Sequence, residues 1–186
     1  MNVTVLFNNE CVSDRYSTGW GFSCLIDRRI LFDTGEKWEY LVSNMKKKRV
    51  DVNRIESVFI SHDHWDHTGG LWGLLETRPG LKVYGCAGFS KEFKHKVSEY
   101  GGVLTVAGEW ETITGGMLST GEISCQYKGE YLAEQALVID GSCGFVIAAG
   151  CCHPGVLNIV KKIRERFPNE RIDLLFGGFH LMQKDR

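Results

Sequence analysis

The chain has 186 residues, 43% of them hydrophobic and 24% charged, with a formal net charge of −1. This composition is typical of a soluble globular protein that folds as one domain around a sizeable core. The near-zero net charge provides no global field that would attract nucleic acid, and no apolar run in the sequence approaches the length of a membrane span.

Cysteine usage and the N-terminal segment indicate the compartment. The seven cysteines are odd in number and include no CxxC pair, so the sequence favours neither a disulfide framework nor a zinc knuckle. The first residues lack the charged start and the long apolar core of a signal peptide. We therefore expect a protein of the reducing cytoplasm. The basic run 46–49 is interpreted as the solvated end of a helix rather than as an RNA contact.

The first half of the sequence predicts strands that alternate with helices. Strands are predicted at 3–7, 22–26, 29–32, 58–60 and 81–84, with a tight turn at Asp27-Arg28. Helices are predicted at 36–48, from 71 to 76, and around Phe93, Val97 and Tyr100 with Ser90 as the N-cap.

The second half predicts short strands followed by one amphipathic helix. Strands are predicted at 103–106, 122–127, 136–139, 145–149 and 172–176. The apolar stripe of the helix comprises Val156, Ile159, Val160, Ile163 and Phe167. There is no internal repeat or linker. This order favours a layered α/β arrangement with mixed sheets inside and helices outside.

The loop 61–70 concentrates the chemistry of the sequence. Three histidines and two aspartates fall within six residues, directly after a predicted buried strand. His62 and His64 alternate, so both side chains point the same way in an extended segment, and Asp66 and His67 follow as the chain turns toward a helix. Imidazole and carboxylate are ligands that suit zinc and related ions. The spacing therefore predicts a dinuclear site, with one pair of ligands for each ion.

Asp63 and the glycine pair Gly69-Gly70 of this loop are expected to have structural roles. Asp63 points away from the alternating histidines, so we expect it to accept a hydrogen bond from nearby backbone rather than to bind metal. Gly69-Gly70 allows a tight backbone turn beneath the ions without side-chain clashes.

The pattern His62-x-His64-x-Asp66-His67 resembles the HxHxDH signature of the metallo-β-lactamase superfamily. Asp33-Thr34-Gly35, at the end of a predicted strand, resembles the first motif of the same superfamily. The resemblance implies an α/β fold, the four-layer αββα sandwich. It also implies that Asp33 supports the metal loop without being a ligand itself.

Further motifs resemble a narrower group, related to archaeal dihydropterin ribofuranosylaminobenzene-phosphate synthase. The matching segments are 150–155 with 158–160, 177–181 (the GGFHL motif), 120–123 and 134–138. Relatives in this group continue past GGFHL with a further helix and strand that carry a His-Cys-Thr-Gly motif. This chain ends at Arg186, so a C-terminally short version of the fold is expected, and the activity of the short chain is left open.

The resemblance also implies ligands from later positions: a His, an Asp or Cys, and a last His. Because 96–152 contains no histidine, His153 is the expected third ligand of the ion held by the first two histidines. Cys151 follows a strand and a glycine at the usual place of a bridging Asp, and it is either a ligand or a buried free thiol. Cys152 is expected to be structural. His180 is the expected last His.

His95 is interpreted differently. It follows the apolar Phe93 by two residues, which places it about 200° around the helix from the apolar face. We therefore expect His95 at the surface.

The implied function is metal-dependent hydrolysis. Two divalent ions, most readily zinc, with manganese or iron as alternatives, would activate a water or hydroxide against an ester, phosphoester or related small-molecule bond. Asp66 is the expected catalytic residue, which holds the nucleophile in line. The expected partner is a small-molecule substrate, without nucleic acid or membrane, and a homo-oligomer is left open.

Three alternatives remain. A truncated or degenerate protein of this fold would bind metal or ligand without turnover. A diiron oxidoreductase would resemble HxExDH, with a carboxylate in place of His64. A nuclease of this fold is disfavoured by the neutral charge and by the lack of an inserted basic arm.

Overall fold

The structure is a computed structural model in which residues 1–180 are described. The chain forms two compact units. The first comprises Met1–Gly85 with Phe89–Val106, and the second comprises Cys86–Gly88 with the chain from Ala107 onward. In residues 1–180, no helix combines the length and the apolar character that crossing a bilayer requires.

The first unit contains a six-stranded mixed sheet. Its strands, in spatial order, are β1 (Val3–Phe7), β2 (Ser23–Ile26), β3 (Ile30–Phe32), β4 (Ser57–Phe59), β5 (Lys82–Gly85) and β6 (Val103–Val106). The first three strands pair antiparallel, and β3 to β6 run parallel. The helices are α1 (Trp38–Lys47), α2 (Trp65–Thr68), α3 (Leu71–Thr77) and α4 (Lys91–Glu99), with a 3₁₀ turn at Val52–Arg54.

The parallel pairing of β3 with β4 places two loops at one edge of this sheet. The register aligns Phe32 with Phe59, so both strands end at the same level. Leu31 and Val58 are fully buried, as expected for parallel strands covered on both faces. The loop that begins with Asp33 and the loop that begins with Ile60 therefore start side by side.

The second unit contains a five-stranded sheet and a separate hairpin. Its elements are β7 (Thr112–Thr114), β8 (Met117–Ser119), β9 (Ile123–Tyr127), β10 (Glu130–Glu134), β11 (Leu137–Gly141), β12 (Gly144–Ala149), α5 (Val156–Arg166) and β13 (Ile172–Gly177). The sheet has the order β13-β12-β11-β8-β7, and β9 pairs with β10. The apolar stripe of α5 packs on the sheet through Ile159 and Ile163. Because β12 and β13 run parallel, with Ala149 opposite Gly177, the loops after them leave from the same edge.

The predicted elements are confirmed, with ends shifted by one to a few residues. Ser90 caps α4, since its hydroxyl accepts a hydrogen bond from the Phe93 N–H at 3.1 Å. The sequence analysis missed β7, β8 and β10. The first two have three residues each, too few to show an alternating pattern. Glu130–Glu134 carries residues that are common in helices, and its pairing with β9 decides its conformation.

Gly21, just before β2, provides a test of how closely this segment of the backbone approaches the loop 61–70. Its φ is 93°, and an added Cβ would lie 1.6 Å from the carbonyl oxygen of Asp66. We expect Gly21→Ala to lower the free energy of unfolding by about 2–5 kcal/mol, because backbone strain and overpacking add. Gly80→Ala is the matched control, since Gly80 has a φ of 81° and nothing within 4 Å of an added Cβ. Urea unfolding that gives equal losses for both variants would contradict the close contact.

Candidate metal centre

Three histidines of the first unit converge immediately after β4. The ring centroids of His62 and His64 lie 4.7 Å apart, and those of His62 and His67 lie 4.2 Å apart. His62 and His67 are fully buried, whereas His64 is half-buried. The loop that the sequence singled out therefore gathers its imidazoles in one place.

Asp33 holds this loop from the neighbouring strand. It is fully buried and has a φ of 49°, an uncommon conformation for a residue other than glycine. Its Oδ1 accepts the Ser61 N–H at 2.7 Å, and its Oδ2 accepts the Ser61 hydroxyl at 2.7 Å. The same Oδ2 lies 2.6 Å from Nδ1 of His67. These contacts make Asp33 the acceptor for two residues of the loop, Ser61 and His67, while its role in supporting bound metal remains a prediction.

The hydrogen bonds of Asp33 determine which ring nitrogen of two histidines carries the proton. An ionised carboxylate only accepts, so Nδ1 of His67 is the donor to Asp33. The Ser61 hydroxyl proton is already directed at Asp33, so in the 2.9 Å contact with His62 the hydroxyl accepts from Nδ1. The lone pair of both rings is consequently on Nε2, the form of imidazole that binds a metal ion.

Asp66 lies beside the histidines, and Asp63 does not. Oδ2 of Asp66 is 3.7 Å from Nε2 of His67, and its side chain is 17% exposed. Oδ2 of Asp63 instead accepts the Ser90 N–H at 2.8 Å, which confirms that it bonds to backbone. The two aspartates of the loop therefore have separate roles, one at the imidazoles and one at the start of α4.

The second unit contains a donor group of its own, Cys151, His153 and His180. One donor atom from each of the three lies within 4.8 Å of the others. The loops that carry them are joined by backbone hydrogen bonds, because the Gly178 and Phe179 N–H groups both donate to the Gly150 carbonyl, at 3.1 and 3.0 Å. The structure thus brings together the three late positions that the sequence analysis selected.

Glu134 holds the turn that contains Cys151 and His153. Its side chain is 1% exposed, and its two carboxylate oxygens accept the N–H groups of Cys152 and His153, each at 2.8 Å. Charge-assisted hydrogen bonds of this kind are stronger than neutral ones. This contact fixes the backbone on both sides of the positive φ of Cys152, 57°.

The two adjacent cysteines differ in their surroundings. Cys152 belongs to the hydrophobic cluster beneath α5. Burial, with smaller contributions from Glu134 and Cys151, raises the pKa of Cys152 to about 12. A thiol that keeps its proton at neutral pH does not bind metal readily, which supports a structural role for Cys152. Cys151 is the cysteine that joins the donor group.

One aromatic residue borders this second group. The ring of Tyr127, at the end of β9, lies 4.3 Å from the ring of His153 and 5.7 Å from that of His180. Its hydroxyl oxygen is 3.5 Å from Nε2 of His180. The phenol is therefore next to two of the three donors.

The residue types fit divalent metal. The first unit offers three imidazoles and the Asp66 carboxylate, and the second offers two imidazoles and a thiol, all of them suitable for zinc.

His95 is exposed on α4, as predicted. Sequence reasoning assigned no role to Ser61, Glu134 or Tyr127. For Ser61 a signal was present, since a hydroxyl directly precedes the first histidine.

Asp33→Asn tests the control of the imidazole protons. An amide has one oxygen in place of two and also donates, so it cannot accept all three hydrogen bonds of Asp33. We expect zinc affinity to fall about 10–100-fold, as is usual when a partner of a ligating histidine is lost. Competition with a chromophoric chelator measures this. Asp63→Asn is the matched control, with the same change of charge on the neighbouring loop. Equal losses in both variants would point to charge alone and against proton placement.

Comparisons with known proteins identify the family of this chain. The model of the metallo-β-lactamase superfamily matches residues 23–157. The 7,8-dihydropterin-6-methyl-4-(β-D-ribofuranosyl)-aminobenzene-5'-phosphate synthase of Methanocaldococcus jannaschii is 27% identical over 86% of this chain and 68% of its own length. Ribonuclease Z of Listeria monocytogenes is 30% identical, over 50% of this chain and 31% of its own length.

A solved structure is similar over almost the whole chain. The crystal structure of a metal-dependent hydrolase of the β-lactamase superfamily has a TM-score of 0.77 and 29% identity, and the match covers 98% of this chain and 77% of that one. The α/β fold that the sequence predicted is thereby confirmed. The family match covers well over half of the chain and includes Asp33, the loop 61–70 and His153. The chain therefore belongs to the metallo-β-lactamase superfamily.

Proposed function

We propose that this chain is a metal-dependent hydrolase that uses water to cleave an ester, a phosphoester or a related bond of a small molecule. The observation that carries the proposal is that Nδ1 of His67 donates to Asp33 and Nδ1 of His62 donates to the Ser61 hydroxyl, which puts the lone pair of each ring on Nε2. A purely structural polar loop would not require this arrangement of protons.

The residues divide into two ligand sets in this proposal. In the first unit, His62 and His64 are the first set, for one divalent ion, and Asp66 and His67 are the second set, for the other; the second unit contributes His153 and His180 to the ligands. Cys151 is a candidate bridging ligand. The assignment of His153 to the first set follows from the ligand order of the superfamily and remains a prediction.

Two bound divalent ions, zinc in the first place, would supply Lewis acidity and lower the pKa of a water toward neutrality. Asp66 accepts a hydrogen bond from the attacking water and keeps it in line with the bond that breaks. Burial of the imidazoles reduces competition from bulk solvent for the donor atoms. The chain's own contribution is thus to fix the positions of the donors and to orient one water.

A nuclease is the second candidate, favoured by the similarity to ribonuclease Z across half of the chain. The net charge of −1 argues against it, because nucleic-acid binding draws on clustered basic residues. Hydrolysis of bis(p-nitrophenyl) phosphate without cleavage of RNA would separate the small-molecule activity from this alternative.

Metal content is the first test of the proposal. We expect the purified chain to carry about two equivalents of divalent metal, mainly zinc, as measured by elemental analysis. His62→Ala and Asp66→Ala should each lower the occupancy. His95→Ala is the control, because His95 is exposed on α4. A folded protein that neither contains nor takes up metal would remove the basis of the proposal.

Turnover is the second test. The zinc-loaded chain should hydrolyse at least one member of a panel of carboxylic esters, lactones and phosphodiesters, and Asp66→Asn should lower kcat at least about 100-fold. Full metal occupancy with no turnover on the panel would favour a protein that binds metal without catalysis. Stoichiometric iron with a visible charge-transfer band would favour an oxidoreductase.

A further inference from the structure

Tyr127 lies at the end of strand β9, where the β9–β10 hairpin turns back. The backbone pairs Tyr127 with Glu130 and Gln126 with Tyr131. Paired residues share a face of the hairpin and successive residues alternate, so Tyr127 and Tyr131 are on opposite faces. The hairpin therefore presents one phenol toward the donor group and the other away from it.

The two phenols have different partners. The Tyr131 hydroxyl donates to Oε1 of Glu122, and this hydrogen bond raises the pKa of Tyr131 to about 12. The ring of Tyr127 instead tilts by 54° over the imidazole of His153, at 4.3 Å, and stands at 80° to that of His180. Only Tyr127 is placed beside residues that carry the proposed chemistry.

The Tyr127 hydroxyl lies close enough to His180 to contact a substrate oxygen bound beside that imidazole. Its oxygen is 3.5 Å from Nε2 of His180, at the outer limit of a hydrogen bond. A substrate oxygen held close to this nitrogen would lie within hydrogen-bonding distance of the phenol. The half-buried ring packs against two imidazoles, and these contacts position the donor before the substrate arrives.

We propose that Tyr127 is a catalytic residue of the hydrolysis, whose hydroxyl donates a hydrogen bond to the leaving oxygen of the substrate as that oxygen gains negative charge. This inference rests on the proposed function. In the step, the water oxygen forms a bond to the carbonyl carbon or phosphorus, and the bond from that atom to the leaving oxygen breaks. The leaving oxygen keeps the electron pair, and the proton of the water passes to solvent. Tyr127 stabilises the charge without giving up its proton.

Tyr127→Phe tests the inference, because it keeps the ring that packs on His153 and removes only the hydroxyl. Inorganic phosphate is the binding probe, and the zinc-loaded full chain is titrated by calorimetry. We expect unchanged zinc stoichiometry and about 10-fold weaker phosphate binding, since a hydrogen bond to a charged group is lost. Tyr131→Phe is the matched control and should bind zinc and phosphate like the wild type.

Leaving-group dependence gives a second measurement. A donor to the leaving oxygen matters most when that oxygen is a poor leaving group. Tyr127→Phe should therefore lower kcat about 100-fold for phenyl esters and about 10-fold for p-nitrophenyl esters, with KM changed less. A residue that only packs on the histidines would lower both rates equally.

The outcomes separate the two proposals. Unchanged phosphate affinity together with an unchanged leaving-group dependence in Tyr127→Phe would overturn the role of Tyr127, as would loss of zinc in that variant. A wild-type chain that binds zinc and phosphate but hydrolyses no member of the panel of esters, lactones and phosphodiesters would contradict the proposed function. In that case the phosphate titration would still decide whether Tyr127 is a donor to a bound oxyanion. A zinc-loaded wild type that binds no phosphate would count against the donor as well.

Discussion

The structure of the loop 61–70 depends on one buried carboxylate, that of Asp33. Removing a carboxylate from water costs several kcal/mol unless hydrogen bonds compensate. Here Ser61 supplies two and His67 supplies one. Because the donors are at the end of β4 and the acceptor is at the end of β3, this compensation also ties the two strand ends together. The charge of Asp33 thus stabilises the loop and sets the protonation of its imidazoles through the same contacts.

In the second unit, the buried carboxylate of Glu134 is also compensated by hydrogen bonds. It accepts from the backbone N–H groups of Cys152 and His153 rather than from side chains. Asp33 therefore orients rings, whereas Glu134 orients a turn. In each unit the acid is outside the proposed ligand set, so the geometry of the donors is established by contacts that do not require metal.

Local spacing in the sequence was enough to select the candidate residues of the loop 61–70, but it could not show the contacts that those residues make. His62, His64 and Asp66 are close in sequence, and their alternation alone indicates a shared direction. Ser61 and Asp33 are 28 residues apart, and Tyr127 and His180 are 53 apart, so no local pattern could pair them. Strand β10 was missed for a related reason. Its residues have no strong preference for a strand, and the partner β9 supplies the hydrogen bonds that define one.

Parallel strand pairs carry the donors in both units. In the first unit, the adjacent parallel strands β3 and β4 end at Asp33 and at the histidine loop. In the second, β12 and β13 are parallel and end at the loops of Cys151, His153 and His180. The carboxyl ends of such strands meet at one edge of a sheet, which is why ligands commonly bind there. The β9–β10 hairpin is outside this arrangement and contributes no donor to it. The hairpin nevertheless acts on the donors from outside their group, because Glu134 of β10 holds the turn that carries Cys151 and His153, and Tyr127 of β9 packs against the ring of His153.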